Sequence, residues 1–373
     1  MTALPRLLLI GPLPPPSGGM ANQTRQLARL LQAEGMSVEL VQTNAPYRPA
    51  WIGNLRGVRA AFRLLPFLLQ VYRAAGRADV AHVMANSGWA WHLFAAPAIR
   101  IAQLRGVPVV VNYRGGLAAE FLAKQDARVR RGMSRAAALV VPTRFLQQVF
   151  ARHDMPAQTI PNVVDVTIFR PAEPRLSTVT TAPHLVVTRN LEHLYGNDIA
   201  LRALARVRQH IPGARLSIAG SGPERAALER LADELGLNDA VRFTGRLETA
   251  DIVKLYQSAD LVLNPSRADN TPNSVLEALA CGVPVVSTNV GGVPFLVQHA
   301  STAWLVPPDD VEAMAEAALR VLGDAVLQRE LVDNGLALAR GCAWPAVKDQ
   351  WLGLYVHLAS ERQAARGAPS QVA

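Results

Sequence analysis

The sequence predicts an α/β protein of two Rossmann-like domains, each an open parallel sheet flanked by helices. Three observations carry that reading. Short runs rich in Val, Ile and Leu alternate along the whole chain with amphipathic stretches of helical length, the pattern of repeated βαβ units. The 373 residues leave room for two domains of ordinary size. Between Pro171 and Pro183 the stretch PAEPRLSTVTTAP is rich in Pro, Ser and Thr and has no helical period, which reads as a connection between two folded parts.

In the first half, strands are expected near residues 6–11, 37–42, 79–83, 107–111, 138–141 and 158–160. The opening apolar run ends at Gly11 and Pro12, too soon for a secretory core or a membrane span, so it reads as a buried first strand. A second set of strands is expected near 184–188, 215–219, 241–244, 261–264, 284–287 and 303–306. Pro307, Pro308 and Asp309 then open a helix, with Asp309 as its cap. Residues 344–362 form an amphipathic helix that can complete the first domain, with Trp344 and Trp351 as docking anchors, and 363–373 read as a frayed tail. The expected organisation is a first domain over 1–172, a linker over 173–183 and a second domain over 184–343.

Composition narrows the function classes. Half of the residues are hydrophobic and 18% are charged, a globular balance. The two cysteines, Cys281 and Cys342, form no CxxC pair, and no histidine cluster has metal-ligand spacing, so neither a disulfide framework nor a zinc site is expected. Cys281 reads as a packing residue. No apolar run reaches the roughly 18 residues a spanning helix needs, and cytoplasmic residence follows as the default expectation. The net charge of +9 is unevenly shared: residues 1–175 hold 21 Lys and Arg against 8 Asp and Glu, and residues 176–373 hold 17 against 21. The first half is therefore expected to face something acidic. Within it, residues 51–78 set Arg56, Arg59, Arg63, Arg73 and Arg77 beside a broad apolar face, interrupted near Pro66. Such a segment suits an anionic membrane surface; the competing reading is a helix that covers the first sheet and turns a solvated basic face outward. No nucleic-acid-binding motif accompanies the charge.

The densest local signal is ADLVLNPSRADNTPNSVLEALACGVPVVSTNVGGVP, from Ala259 to Pro294. A strand runs into a polar loop and then into a helix from about Asn273, with Thr271 or Asn273 available as its cap. Free amides and the positive end of the helix dipole are expected to hold a diphosphate against residues 271–274, with Asn270, Thr271, Pro272, Asn273 and Ser274 all expected to bind the donor. Glu277, one turn in, is placed to accept hydrogen bonds from a diol such as a ribose, and Asp269 from sugar hydroxyls.

With these residues in view, the chain resembles the family 4 retaining glycosyltransferases of the GT-B fold, in which two Rossmann-like domains face each other across a deep cleft. Asp269, seven intervening residues, Glu277 and LEALACGVPVV match the family's acidic motif, with Asp where Glu is commoner at the first site. The resemblance implies that Asp269 contacts the donor sugar and that Glu277 holds the nucleotide ribose. Gly18 and Gly19 resemble the glycine loop after the family's first strand, where the backbone approaches the diphosphate. IPNVVDVTIFRP resembles the segment that closes the first domain, with Val163 replacing the usual Gly, and LSIAGSGPERAAL resembles the turn carried by Gly220, Gly222 and Pro223. RFTGRLETADIVKLYQSADLVLNPS resembles the stretch near the nucleobase.

The match fails in two places. The family sets an Arg and a Lys after the first strand of the second domain; here Arg189 aligns and Tyr195 stands where the Lys belongs. Arg114, in VVVNYRGGL, is the candidate replacement cation, in a stretch where many relatives carry a His and this chain has none at 112–116. His82 and Asn112 are expected at the cleft rim, on the acceptor side.

The resemblance implies a nucleotide-diphosphate sugar as donor substrate and a glycan or lipid-linked acceptor. Catalysis is expected to proceed with retention, through Arg189, Asp269 and Arg114, with no cofactor. No DxD sequence occurs, and no metal is expected. The competing functions are a nucleotide-sugar-binding sensor or scaffold that has lost catalysis, and a GT-B epimerase or phosphorylase.

Overall fold

The computed structural model describes residues 4–15, 18–47, 51, 59–116, 118–172 and 181–367. Most of the expected linker, the last residues of the expected tail, and 52–58 of the basic segment lie outside the described residues. The chain divides into two compact units, residues 1–163 with 347–373, and residues 164–346.

The first unit holds a six-stranded sheet in the order β2-β1-β3-β4-β5-β6. Its strands are β1 (Leu7–Gly11), β2 (Val38–Gln42), β3 (Val80–Ala85), β4 (Val109–Tyr113), β5 (Ala138–Val141) and β6 (Gln158–Thr159), and every pairing is parallel. The helices between them are α1 (Gly19–Ala33), α2 (Arg59–Ala75), α3 (Ala96–Leu104), α4 (Ala118–Met133) and α5 (Arg144–Ala151). β1, β3 and β4 are buried along their whole length, as near-continuous apolar strands covered on both faces must be. The last helix, α13 (Trp344–Gly367), reaches into this unit from Val347 onward. Trp351 and Tyr355 are buried there against His82, Lys348 pairs with Glu34 at 3.2 Å, and Arg362 donates to the carbonyls of Ala78 and Asp79.

The expected break at Pro66 is not seen: α2 runs through it. A proline inside a helix frees the carbonyl four residues earlier, here that of Phe62. Phe62 and Pro66 both lie on the exposed face, where water can satisfy the freed group.

The second unit holds a parallel sheet in the order β12-β11-β10-β7-β8-β9. Its strands are β7 (His184–Val187), β8 (Arg215–Ala219), β9 (Val241–Gly245), β10 (Leu261–Asn264), β11 (Val285–Thr288) and β12 (Trp304–Val306). Its helices are α6 (Asn197–His210), α7 (Arg225–Glu234), α8 (Thr249–Ser258), α9 (Asn273–Ala280), α10 (Val293–Leu296), α11 (Val311–Gly323) and α12 (Ala325–Gly341). The cap of α11 is Asp310, which accepts from the Ala313 amide, and not Asp309. Asp309 sits in left-handed backbone at φ 59° and pairs with Arg267. The unit begins at Val164, earlier than the expected 184, because 164–171 pack on it: the Val164 amide donates to the Cys342 carbonyl and Phe169 meets the ring of Tyr256.

In this sheet β7 lies between β8 and β10, so chain order reverses there. Loops at such a switch point diverge and leave a crevice at the carboxyl ends of the strands. The loops after β7 and β10 carry Arg189 and Asp269.

Candidate functional site

The second unit brings four of the expected residues together. Arg189 leaves β7 and its guanidinium forms an ion pair with the Asp269 carboxylate, donates to Ser274 Oγ at 3.3 Å and lies 4.2 Å over the ring of Tyr195. Asp269 is further held by the Asn270 amide, at 2.9 Å. Both members of the pair are nearly buried, with about a tenth of each side chain exposed (11% and 12%), so neither is an ordinary surface charge. Glu277, one turn into α9, accepts from the Tyr256 hydroxyl at 3.3 Å.

α9 begins at Asn273. Its cap residue is Pro272, and no side chain caps the turn, contrary to the expectation for Thr271 or Asn273. Proline fixes the entry angle but offers no side-chain acceptor, so the cap residue itself does not neutralise the positive end of the helix. Arg189 reaches Ser274 in this first turn, so a cation and the positive end of a helix share one place.

Electrostatics sharpen the picture. Burial pushes the Asp269 carboxyl up, opposed by Arg189, and pushes Glu277 up to about 7, opposed by Tyr256 and Arg189. Two carboxyls share one guanidinium in a poorly hydrated spot, a combination that marks functional sites more often than structural ones. Tyr195, where the resemblance leads one to expect a second cation, supplies no charge. It supplies the face on which Arg189 rests, a contact worth about 0.5–2 kcal/mol.

Glycines frame this cluster for a steric reason. A Cβ on Gly220 would stand 2.0 Å from the Arg189 carbonyl, and one on Gly222 2.2 Å from that of Leu191. The turn after β8 therefore positions the loop that carries Arg189. Two glycines that the motif reading does not single out do the same for Asp269: Gly291, at φ 53°, would clash with the Asp269 carbonyl, and Gly292 with that of Asn270. The Gly292 amide donates to the Asp269 carbonyl at 2.9 Å. Tyr256 also escapes sequence reasoning, since no motif spacing ties it to Glu277 21 residues later.

In the first unit the expected residues are placed differently. Gly18 caps α1 in extended backbone (φ −162°), with open space where a Cβ would be, and Gly19 begins that helix. His82 is not at a rim. It is fully buried in β3, where Nδ1 meets the Tyr355 hydroxyl at 2.7 Å and the ring packs on Trp351; burial holds its pKa down at about 3, so it stays neutral. Asn112 is likewise buried, under Arg114, whose Nε donates to its Oδ1 at 3.3 Å. Both sit on strands covered on both faces, which removes them from solvent. Arg114, at the carboxyl end of β4, is half-buried, and no carboxylate pairs with it among the described residues.

Two parallel-sheet units, one with a cation, two carboxyls and a helix N-terminus at its switch point, define a two-domain α/β protein. Solved structures share the fold. Sucrose-phosphate synthase from Thermosynechococcus elongatus is 21% identical, with a TM-score of 0.74 over 95% of this chain and 100% of that one. Anabaena HepE in complex with UDP and glucose is 19% identical, with a TM-score of 0.72 over 95% and 99%. The fold is GT-B. The Glycosyltransferase Family 4 model matches residues 17–168 and the Glycosyl transferases group 1 model residues 182–324. The chain belongs to the family 4, group 1 glycosyltransferases. A D-inositol 3-phosphate glycosyltransferase from Saccharomonospora viridis is 33% identical over 53% of this chain and 49% of its own length. A GDP-mannose-dependent phosphatidylinositol monomannoside mannosyltransferase from Mycobacterium tuberculosis is also 33% identical, over 48% and 46%. The chain spans about half the length of these relatives.

Proposed function

We propose that the protein moves a sugar from a nucleotide-diphosphate sugar to an acceptor, with retention and without a metal. The observation that carries this reading is the meeting of Arg189, Asp269, Ser274 and Glu277 at the start of α9. In this scheme the diphosphate lies against the first turn of α9 and Arg189, Glu277 takes the ribose diol, and Asp269 the sugar hydroxyls. As the bond from the sugar to the diphosphate breaks, charge grows on the leaving oxygen and Arg189 meets it. That oxygen takes the acceptor's proton on the face it leaves, and the acceptor oxygen bonds to the same face, so the configuration is kept.

The test is a panel of UDP-, GDP- and ADP-sugars with membrane lipid extract. Acceptor-dependent release of free nucleotide, unchanged by EDTA, is expected; binding with no turnover under any condition would leave a sensor instead. Glu277→Ala is expected to weaken nucleotide binding at least tenfold by calorimetry with the melting curve intact, and unchanged affinity would remove Glu277 from the ribose role.

The acceptor in this reading is lipid-linked, and α2 brings the protein to an anionic membrane surface. Phe62, Leu65, Leu69 and Tyr72 stand exposed along one face of α2, with Leu104 and Arg105 of the α3 terminus beside them. Between Glu39 and Glu120 the chain has nine arginines and a single acid, Asp79, so the apolar stripe is set in positive charge, the combination that binds anionic lipid. None of the described helices is long and apolar enough to cross a membrane. Co-sedimentation with vesicles containing phosphatidylglycerol is expected, with loss at high salt and in Leu65→Glu/Leu69→Glu. Equal binding to neutral vesicles, or binding indifferent to both changes, would contradict it.

A further inference from the structure

The ribose role of Glu277 depends on where its carboxylate points, and one buried side chain governs that. Tyr256, on α8, is fully buried. Its hydroxyl lies 2.6 Å from Thr188 Oγ1, 3.2 Å from the Ser274 carbonyl and 3.3 Å from Glu277 Oε2. A phenol has one proton. The carbonyl and the carboxylate only accept, so that proton goes to them and Thr188 is the donor to the phenol oxygen. Thr188 directly precedes Arg189, and Ser274 is the residue that Arg189 reaches. One hydroxyl therefore ties β7, the first turn of α9 and Glu277 together.

We propose that Tyr256 is a positioning residue for donor binding: held by Thr188, it aims the Glu277 carboxylate at the nucleotide ribose and keeps that carboxylate able to ionise. The proposal rests on the ribose role assigned above to Glu277. Burial raises the Tyr256 pKa, so the phenol stays a donor at any working pH. The groups facing Glu277 are Tyr256 from α8, Arg189 from the loop after β7 and Cys281 on its own helix, whose thiol burial pushes up to about 12. Tyr256 and Arg189 favour the ionised form, and burial opposes them. A carboxylate that accepts two ribose hydroxyls binds best when ionised, so nucleotide affinity is expected to rise as pH climbs through about 7. Without the phenol donor that rise moves to higher pH.

The experiment is calorimetric titration of UDP, GDP and ADP into the full-length protein from pH 5.5 to 9, continued with whichever binds. Tyr256→Phe keeps the ring and its packing. It is expected to weaken binding about fivefold at pH 7 and less than twofold at pH 9, with the midpoint raised by about one pH unit. Thr188→Val, which removes the hydroxyl that holds Tyr256, is expected to move the midpoint the same way by less, and serves alone should Tyr256→Phe fail to fold. In a Glu277→Gln background, adding Tyr256→Phe is expected to cost less than twofold more, because there is no charge left to support. Equal weakening at every pH, an unmoved midpoint, or full additivity in the double variant would overturn the positioning role. Glu277→Gln with unchanged affinity, or a wild-type protein that binds none of the three nucleotides, would overturn the ribose reading and this proposal with it. Weakened binding in Glu277→Gln beside a wild-type profile in Tyr256→Phe would overturn the proposal alone.

Discussion

Arg189→Ala is expected to lower turnover about a hundredfold, the usual cost of removing one donor to a developing negative charge, or roughly 3 kcal/mol. The residue that replaces the family's second cation is Tyr195, which braces Arg189 without adding charge, so among the described residues no other cation pairs with Asp269 to compensate. Fold loss is the competing explanation, because removing one partner of a nearly buried ion pair leaves the other charge stranded. Asp269 has a way out: burial already raises its pKa, and losing Arg189 raises it further, so it can take up a proton. The variant should therefore fold, with a melting temperature that falls as pH rises from the ordinary carboxylate range toward the raised value of Asp269, where it is forced to ionise. Arg189→Lys separates charge from geometry. It keeps the cation but cannot reach Asp269 and Ser274 at once from a planar fork, and partial recovery of turnover is expected. Turnover is read as acceptor-dependent nucleotide release; wild-type rates in Arg189→Ala would defeat the assignment.

Arg114→Ala is expected to give the opposite pairing of effects, a loss of turnover of similar size, about a hundredfold, with stability unchanged or improved. Burial lowers the Arg114 pKa to about 10, so it still carries its charge at neutral pH. Its neighbours are the Asn112 amide oxygen and the neutral His82, with no carboxylate among the described residues. A half-buried cation without a counter-charge is costly; under the proposed transfer, an anion from outside, a phosphate of the donor or acceptor, would meet it. Removing it is then expected to relieve the empty protein and disable the loaded one, the trade-off expected of functional residues. Thermal melts with and without nucleotide-sugar, beside turnover, check this. A clear drop in melting temperature with full activity would make Arg114 a structural residue.

Much of the fold could be read from periodicity. Each of the twelve expected strands has a counterpart within about two residues at either end, because strands buried on both faces must be short, apolar and punctuated by turn residues. Boundaries set by packing were less legible. Nothing in IPNVVDVTIFRP says that Val164 bonds to Cys342 within the second unit while Val163, one residue earlier, accepts from Gln23 within the first. His82 shows the same limit: its place near a strand end suggested a rim, and α13, arriving 273 positions later through Tyr355, buries it.

For the candidate site, the sequence by itself determined the local pieces: a helix start beyond a strand, a carboxylate eight residues before another, glycines at turns and Arg189 at a strand end. Those depend on neighbours along the chain, and spacing records them. Tertiary structure alone decided how the pieces act on one another. Arg189 meets Asp269 across 80 residues, and Tyr256 meets Glu277 from another helix. Gly291 and Gly292 wedge against the Asp269 loop from the next strand over. Proton affinity, charge balance and the aim of a side chain depend on distance through space and on exclusion of water, and folding sets both.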